Sequence, residues 1–312
     1  MVAIGNHGAM DRRPLIVLAA IVLAGCSSSQ AHSPTTAVRS THPTSTTGVS
    51  APDRPLVTET LELVDPSRPV VSGGRTLSAQ RSLPTTVVRP AGPGRHPLVL
   101  MLPGYGVGPA TYARMMAWLG RHGMVAASPS FPLADPAQGL GLDRGDLPHE
   151  ATDVSFVLSQ LEHGAMGRHI DPDRIAVLGH SDGADVALEL GYDPALRDDR
   201  IGSVVAVAPD PIAGPVISGG PPLLLVHGSA DAVVDPSSSG RVFSAVSSER
   251  WSLTLLGADH ASAIVGPSPW TPTLDAAVAA FLLPLTAGRD RSHLTVVLRA
   301  LPSTELEVGT GP

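Results

Sequence analysis

From residue 53 onward, short apolar runs alternate with longer stretches whose apolar residues recur at helical spacing. The runs at 85–89, 98–102, 124–127, 174–179, 203–208, 223–227 and 251–256 read as strands. Several are unbroken Val, Leu, Ile and Ala, as expected of strands buried on both faces. Prolines flank the run at 85–89, which places it near an edge, as the first strand of the main sheet. Between the runs, 110–122, 150–163, 182–191, 237–247 and 271–283 read as helices. This alternation predicts an α/β domain over residues 53–312, with a mainly parallel central sheet and helices on both faces. No internal repeat is visible. The pattern after Leu285 is ambiguous, and 293–299 fits a strand or a short helix.

The first 52 residues are patterned differently. Asp11-Arg12-Arg13-Pro14 precedes an apolar run at 15–24, too short to span a bilayer and of signal-peptide length. The run ends in Leu23-Ala24-Gly25-Cys26, which resembles the lipobox of bacterial lipoproteins. That resemblance implies a signal peptide over 1–25, lipidation at Cys26, and a domain held outside the cytoplasm on the cell membrane by its lipid. Residues 26–52 are rich in Ser, Thr and Pro and read as a disordered tether. His32 and His42 fall in it as solvated residues.

Composition narrows the picture. Apolar residues make up 43% of the 312, enough for a sizeable core. The net charge is −7, the 21 basic residues are all Arg, and no basic run appears, so nucleic acid is not an expected partner. Cys26 is the one cysteine, which excludes an internal disulfide and a cysteine metal site. Oligomeric state is not indicated.

The chemistry concentrates at three strand ends. Arg174-Ile-Ala-Val-Leu-Gly-His-Ser-Asp-Gly183 carries Gly179-x-Ser181-x-Gly183 between a buried strand and a helix. Such a strand–turn–helix setting lifts a serine hydroxyl above the sheet edge, with helix N-terminal N–H groups behind it. The plainer reading is a turn whose serine caps the helix. A nucleophilic serine needs a base and an orienting acid. Leu223-Leu-Leu-Val-His-Gly-Ser-Ala-Asp231 places Asp231 beyond one strand, and His260 follows the next. Asp210, Asp235 and Asp259 compete for the acid role. His227 reads as a packed residue and His180 as a support of the turn; His122, His149 and His163 read as helix-end or surface residues. Pro-Gly-Tyr105-Gly follows the strand at 98–102. The N–H groups of Tyr105 and Asp182 are the candidate oxyanion donors.

Together these residues resemble the α/β-hydrolase superfamily, within it the dienelactone-hydrolase, chlorophyllase and platelet-activating-factor-acetylhydrolase group, with cutinase-like polyester hydrolases nearby. The matching stretches are Asp65-Pro-Ser-Arg-Pro69, Leu102-Pro-Gly-Tyr105, Ile170-Asp-Pro-Asp-Arg174, Gly179-His-Ser-Asp-Gly183, His227-Gly-Ser-Ala-Asp231 and Asp259-His260. The resemblance covers roughly residues 55 to 285. It implies a Ser181–Asp231–His260 triad, an oxyanion hole at Tyr105 and Asp182, and hydrolysis of small-molecule or lipid esters without metal or organic cofactor. Three positions depart from the relatives. Polyester hydrolases usually carry Met or Gln where Asp182 stands, and an aromatic clamp including Trp where this chain reads Ala208-Pro-Asp-Pro-Ile212; dienelactone-type enzymes use Cys in place of Ser181. The rival readings are a peptidase on the same triad and a catalytically silent lipoprotein that only binds.

Overall fold

The chain enters the sheet earlier than its apolar runs predict. In the computed structural model, which describes residues 53–211, 214, 216–287 and 291–311, Leu56–Asp65 forms a ten-residue strand, β1. Its Leu-Val-Thr-Glu-Thr-Leu-Glu-Leu-Val-Asp sequence mixes apolar and polar positions, and most of its side chains are half-buried or exposed, as in an edge strand. A small hairpin follows, β2 (Val70–Ser72) and β3 (Arg75–Ser78). Then comes β4 (Arg81–Pro90), antiparallel to β1 from Leu56 opposite Pro90 to Asp65 opposite Arg81. The run at 85–89 is therefore the middle of the second strand from the edge, and β1 takes the place expected of it. Cys26, the leader and the tether lie outside the described residues.

The remaining elements follow the predicted alternation. They are β5 (His96–Leu102), α1 (Ala113–Arg121), β6 (Val125–Pro129), α2 (Leu147–His163), β7 (Ile170–His180), α3 (Asp182–Tyr192), β8 (Val204–Val207) and β9 (Leu223–Gly228). After these come α4 (Ser237–Ala245), β10 (Arg250–Leu255), α5 (Thr271–Ala287), α6 (Leu294–Arg299) and β11 (Thr304–Gly309). The ambiguous stretch after Leu285 is thus a short helix, and a last strand follows it.

One nine-stranded sheet runs β1-β4-β6-β5-β7-β8-β9-β10-β11. The six strands from β6 to β10 are parallel, and β1, β4 and β11 join at the edges through antiparallel pairings, β1 to β4, β4 to β6 and β11 to β10. Side chains alternate across the sheet, so each central strand feeds two cores. On β5, Leu98, Leu100 and Leu102 face the core covered by α2, α3 and α4. Val99 and Met101 face the core covered by α1, α5 and α6. A parallel sheet buried on both faces gathers its functional loops at the carboxyl ends of its strands. Tyr105, Ser181, Asp231 and His260 all follow such ends, those of β5, β7, β9 and β10.

An ion-pair cluster fastens the antiparallel edge to this frame. The fully buried Arg81 of β4 donates to both Asp146 and Asp153, and Arg68 joins Asp153 to Asp65. Each guanidinium holds two carboxylates, a geometry that offsets the cost of burying the charge.

Candidate active site

Between β7 and α3 the backbone turns through Ser181, at φ 56° and ψ −130°. Positive φ is costly for a residue with a Cβ and persists only where the surroundings enforce it. Two glycines do so here. A Cβ on Gly179 would meet the Gly183 carbonyl oxygen at 1.9 Å, and one on Gly183 would meet the Leu102 oxygen at 2.1 Å. The Ser181 N–H donates to the Val207 carbonyl, and its own carbonyl accepts from Ala184. Its side chain makes no capping bond to α3. The hydroxyl is therefore not the helix cap of the plainer reading.

Asp231 and His260 meet. His260 Nδ1 lies 2.7 Å from Asp231 Oδ2. The other carboxylate oxygen, Oδ1, accepts from the N–H groups of Val233 at 2.8 Å and Val234 at 3.0 Å. Burial pushes the Asp231 carboxyl up, but the Val234 N–H, the His260 imidazole and the Val233 N–H together hold it below the ordinary carboxylate value. It is a buried, ionised acceptor aimed at an imidazole.

The competing carboxylates are engaged elsewhere. Asp235 accepts from the Ser237 N–H, and Asp259 accepts from Ala261 and Ser262, fixing the loop on either side of His260. Asp210 lies on Arg144 at 2.7 Å. His227 is packed as expected: Nδ1 lies 2.7 Å from Ser239 Oγ, and Nε2 is 3.2 Å from both the Val234 carbonyl and Asp231 Oδ2. His122 and His163 each bond the carbonyl four residues back at their helix ends, and His149 is exposed.

Asp182 follows Ser181 directly, and a Cβ on Gly104, the residue before Tyr105, would come within 3.1 Å of the Ser181 Cβ. Among the described residues, the backbone N–H groups of Tyr105 and Asp182 donate to no carbonyl or side chain. Gly104 bonds to Tyr112 and Gly106 to Ala134, which fixes the loop on both sides of Tyr105.

The residue after Ser181 is occupied in a way the sequence does not announce. The Asp182 carboxylate, buried at the helix N-terminus, receives Arg144: Nε to Oδ2 and Nη2 to Oδ1, each 2.8 Å. The same guanidinium reaches Asp210, so Arg144 bridges the residue after Ser181 to the loop after β8. Behind the bridge lies a cavity of about 500 Å³, with Leu147, Asp185, Leu188 and Glu189 among its lining residues. Burial pushes the Asp185 carboxyl up to about 8, opposed by the Asp210 N–H and reinforced by the Asp210 and Asp182 carboxylates. Burial and Asp193 push Glu189 up to about 7. Arg144 sits 38 residues from Asp182 in a loop without periodicity, so no local signal marks it.

Comparison with known proteins agrees with this architecture. A family model described as Chlorophyllase matches residues 67–230, more than half of the chain. The matched region holds Tyr105, Ser181 and Asp182 and ends one residue before Asp231. No curated protein matches the chain. Among solved structures, a ferulic acid esterase from Streptomyces cinnamoneus is similar with a TM-score of 0.67 at 20% identity, over 83% of this chain and 98% of that one. At that identity the likeness speaks for the fold. The chain belongs to the chlorophyllase family of the α/β-hydrolase fold and is a carboxylic ester hydrolase.

Proposed function

We infer that the protein cleaves esters by two-step acyl transfer on Ser181. His260 takes the Ser181 proton as the hydroxyl oxygen attacks the ester carbonyl. The negative oxygen of the tetrahedral intermediate is held by the Tyr105 and Asp182 N–H groups. His260 then gives the proton to the departing alcohol oxygen as the carbon–oxygen bond breaks. Asp231 fixes the tautomer that keeps Nε2 bare and stabilises the imidazolium. Water, deprotonated by the same imidazole, releases the acid and restores Ser181. The observation that carries this reading is the 2.7 Å bond between Asp231 and His260, whose carbonyl lies 2.9 Å from Nε2 of His180, the residue before a backbone-strained Ser181 free of any capping bond.

The cavity lined by Arg144, whose guanidinium holds the Asp182 next to Ser181, favours neutral groups. Arg144, its cation, already holds Asp182 and Asp210, while Asp185 and Glu189 line the wall. An anionic group entering there meets Asp210 and, as the pH rises past about 7 and 8, the ionised Glu189 and Asp185, while the Arg144 guanidinium is already paired. The lipobox-like Leu23-Ala24-Gly25-Cys26 supports a location outside the cytoplasm, with the enzyme lipid-anchored to the cell membrane. A panel of p-nitrophenyl esters of graded acyl length tests the activity. Turnover of neutral esters with a pre-steady-state burst is expected; no turnover on any member, from protein whose Ser181 reacts with nothing, would leave the silent-binder reading standing.

A further inference from the structure

We propose that Tyr112 and His180 are positioning residues that tie the oxyanion loop, the nucleophile turn and the base loop into one unit. This rests on the acyl-transfer reading of Ser181 and His260. The Gly104 N–H donates to Tyr112 Oη at 3.1 Å, Tyr112 Oη lies 2.9 Å from His180 Nδ1, and His180 Nε2 lies 2.9 Å from the His260 carbonyl oxygen. Each end of this chain sits beside a reacting group. Gly104 precedes the oxyanion donor Tyr105, His180 precedes Ser181, and the accepting carbonyl belongs to the base itself.

The proton positions follow from the partners. A carbonyl faces His180 Nε2, so Nε2 carries the hydrogen and donates. Nδ1 is then bare and accepts the Tyr112 hydroxyl proton, which leaves the Tyr112 oxygen lone pairs to accept from Gly104. One hydrogen-bond arrangement satisfies all three contacts. Tyr112 is fully buried and His180 nearly so, so breaking any link leaves a polar group without water. His260 is consequently held twice, by its ring on Asp231 and by its backbone on His180.

Neutrality of His180 is part of the arrangement. Its ring centroid lies 4.8 Å from that of His260, and its other charged or titratable neighbours are Asp231, His227 and Tyr112. Burial pushes His180 down to about 4, only partly offset by the His260 carbonyl. His180 therefore does not compete for the proton that His260 takes from Ser181.

The test compares Tyr112→Phe, His180→Leu and His180→Gln, with kcat expressed per site titrated by a fluorophosphonate. A small displacement of reacting groups costs up to roughly 100-fold. Tyr112→Phe should lower kcat about tenfold, and His180→Leu about a hundredfold, with KM within threefold in both. His180→Gln, whose amide can still donate to the His260 carbonyl, should recover at least about tenfold over His180→Leu. A loss confined to the number of titratable sites, with wild-type kcat per site, would show a purely structural role and overturn the proposal. Should the variants not fold, nitrogen NMR of the wild type decides. A neutral, Nε2-protonated His180 from pH 5 to 8 agrees with the relay, and an Nδ1-protonated or titrating ring contradicts it. Failure of the underlying reading looks different: there Ser181→Ala itself retains activity.

Discussion

Asp231 holds His260 with one carboxylate oxygen and is itself held by the other. Oδ2 meets His260 Nδ1 at 2.7 Å and has His227 Nε2 at 3.2 Å, while Oδ1 takes the Val233 and Val234 N–H groups. Four donors converge on one buried carboxylate, so its orientation is set before any substrate arrives.

Asp231→Asn replaces that acceptor with an amide that can present N–H to His260 and turn the imidazole to the wrong tautomer. The expected loss in kcat is about 10⁴-fold with KM little changed. Asp210→Asn, whose carboxylate lies on Arg144, should cost less than about tenfold. Steady-state kinetics of the pair checks the assignment. A larger loss in Asp210→Asn would move the acid to Asp210.

The bridge Asp182–Arg144–Asp210 yields a crossed prediction. One unit of charge a few ångströms from the substrate is worth on the order of 1 kcal/mol in wet surroundings, roughly fivefold in a rate ratio. Asp182→Asn removes a negative charge and keeps the backbone donor. It should raise kcat/KM for a carboxylate-bearing ester relative to its neutral twin by about that factor. Arg144→Gln should lower the same ratio. An unchanged ratio in both variants would confine the bridge to holding the two loops together.

How far the sequence could be read is clearest at these residues. Ser181, Asp231 and His260 each follow a buried strand, so strand–loop periodicity points at them directly. The parallel strands β5 to β9 are equally legible, because burial on both faces demands continuous apolar runs, while β10 shows instead the alternation of a half-buried strand. β1 is not legible, since an edge strand needs apolar side chains on one face only and its Thr and Glu residues dilute the signal. Arg144 and Tyr112 were invisible for a different reason. Their partners lie 38 and 68 residues away, at Asp182 and His180, and only the assembled sheet brings them together. His180 reads from the sequence as a support of the turn, and its bonds to Tyr112 and the His260 carbonyl give that support a form.

Asp185 gives the fold a pH dependence of definite sign. Its carboxyl is raised from 3.8 to about 8, first by burial, so the folded state binds its proton more tightly than the unfolded chain. Its contribution to stability is complete below about pH 3.8 and is lost progressively as the pH rises toward 8. Asp185→Asn keeps an oxygen for the Asp210 N–H and removes the titration. Its melting temperature should exceed that of the wild type at pH 8 and match it near pH 4, by about 2–4 °C for each kcal/mol recovered. An equal change at both pH values would place the effect in packing alone.

Cys26→Ser tests the proposed anchor. The variant should appear in the soluble extracytoplasmic fraction, because stable attachment requires more than one acyl chain and the lipobox resemblance implies that Cys26 carries them. Retention on washed membranes would contradict the anchor and point to an uncleaved apolar segment at 15–24.

The most direct measurement is the intact mass and peptide map of the protein after reaction with a fluorophosphonate, wild type beside Ser181→Ala, with ester hydrolysis recorded on the same samples. The account predicts one adduct on the wild type, located at Ser181. It predicts no adduct on Ser181→Ala and a fall in turnover of at least about 10³-fold. An adduct at any other residue, or hydrolysis by Ser181→Ala within a few-fold of wild type, would contradict it.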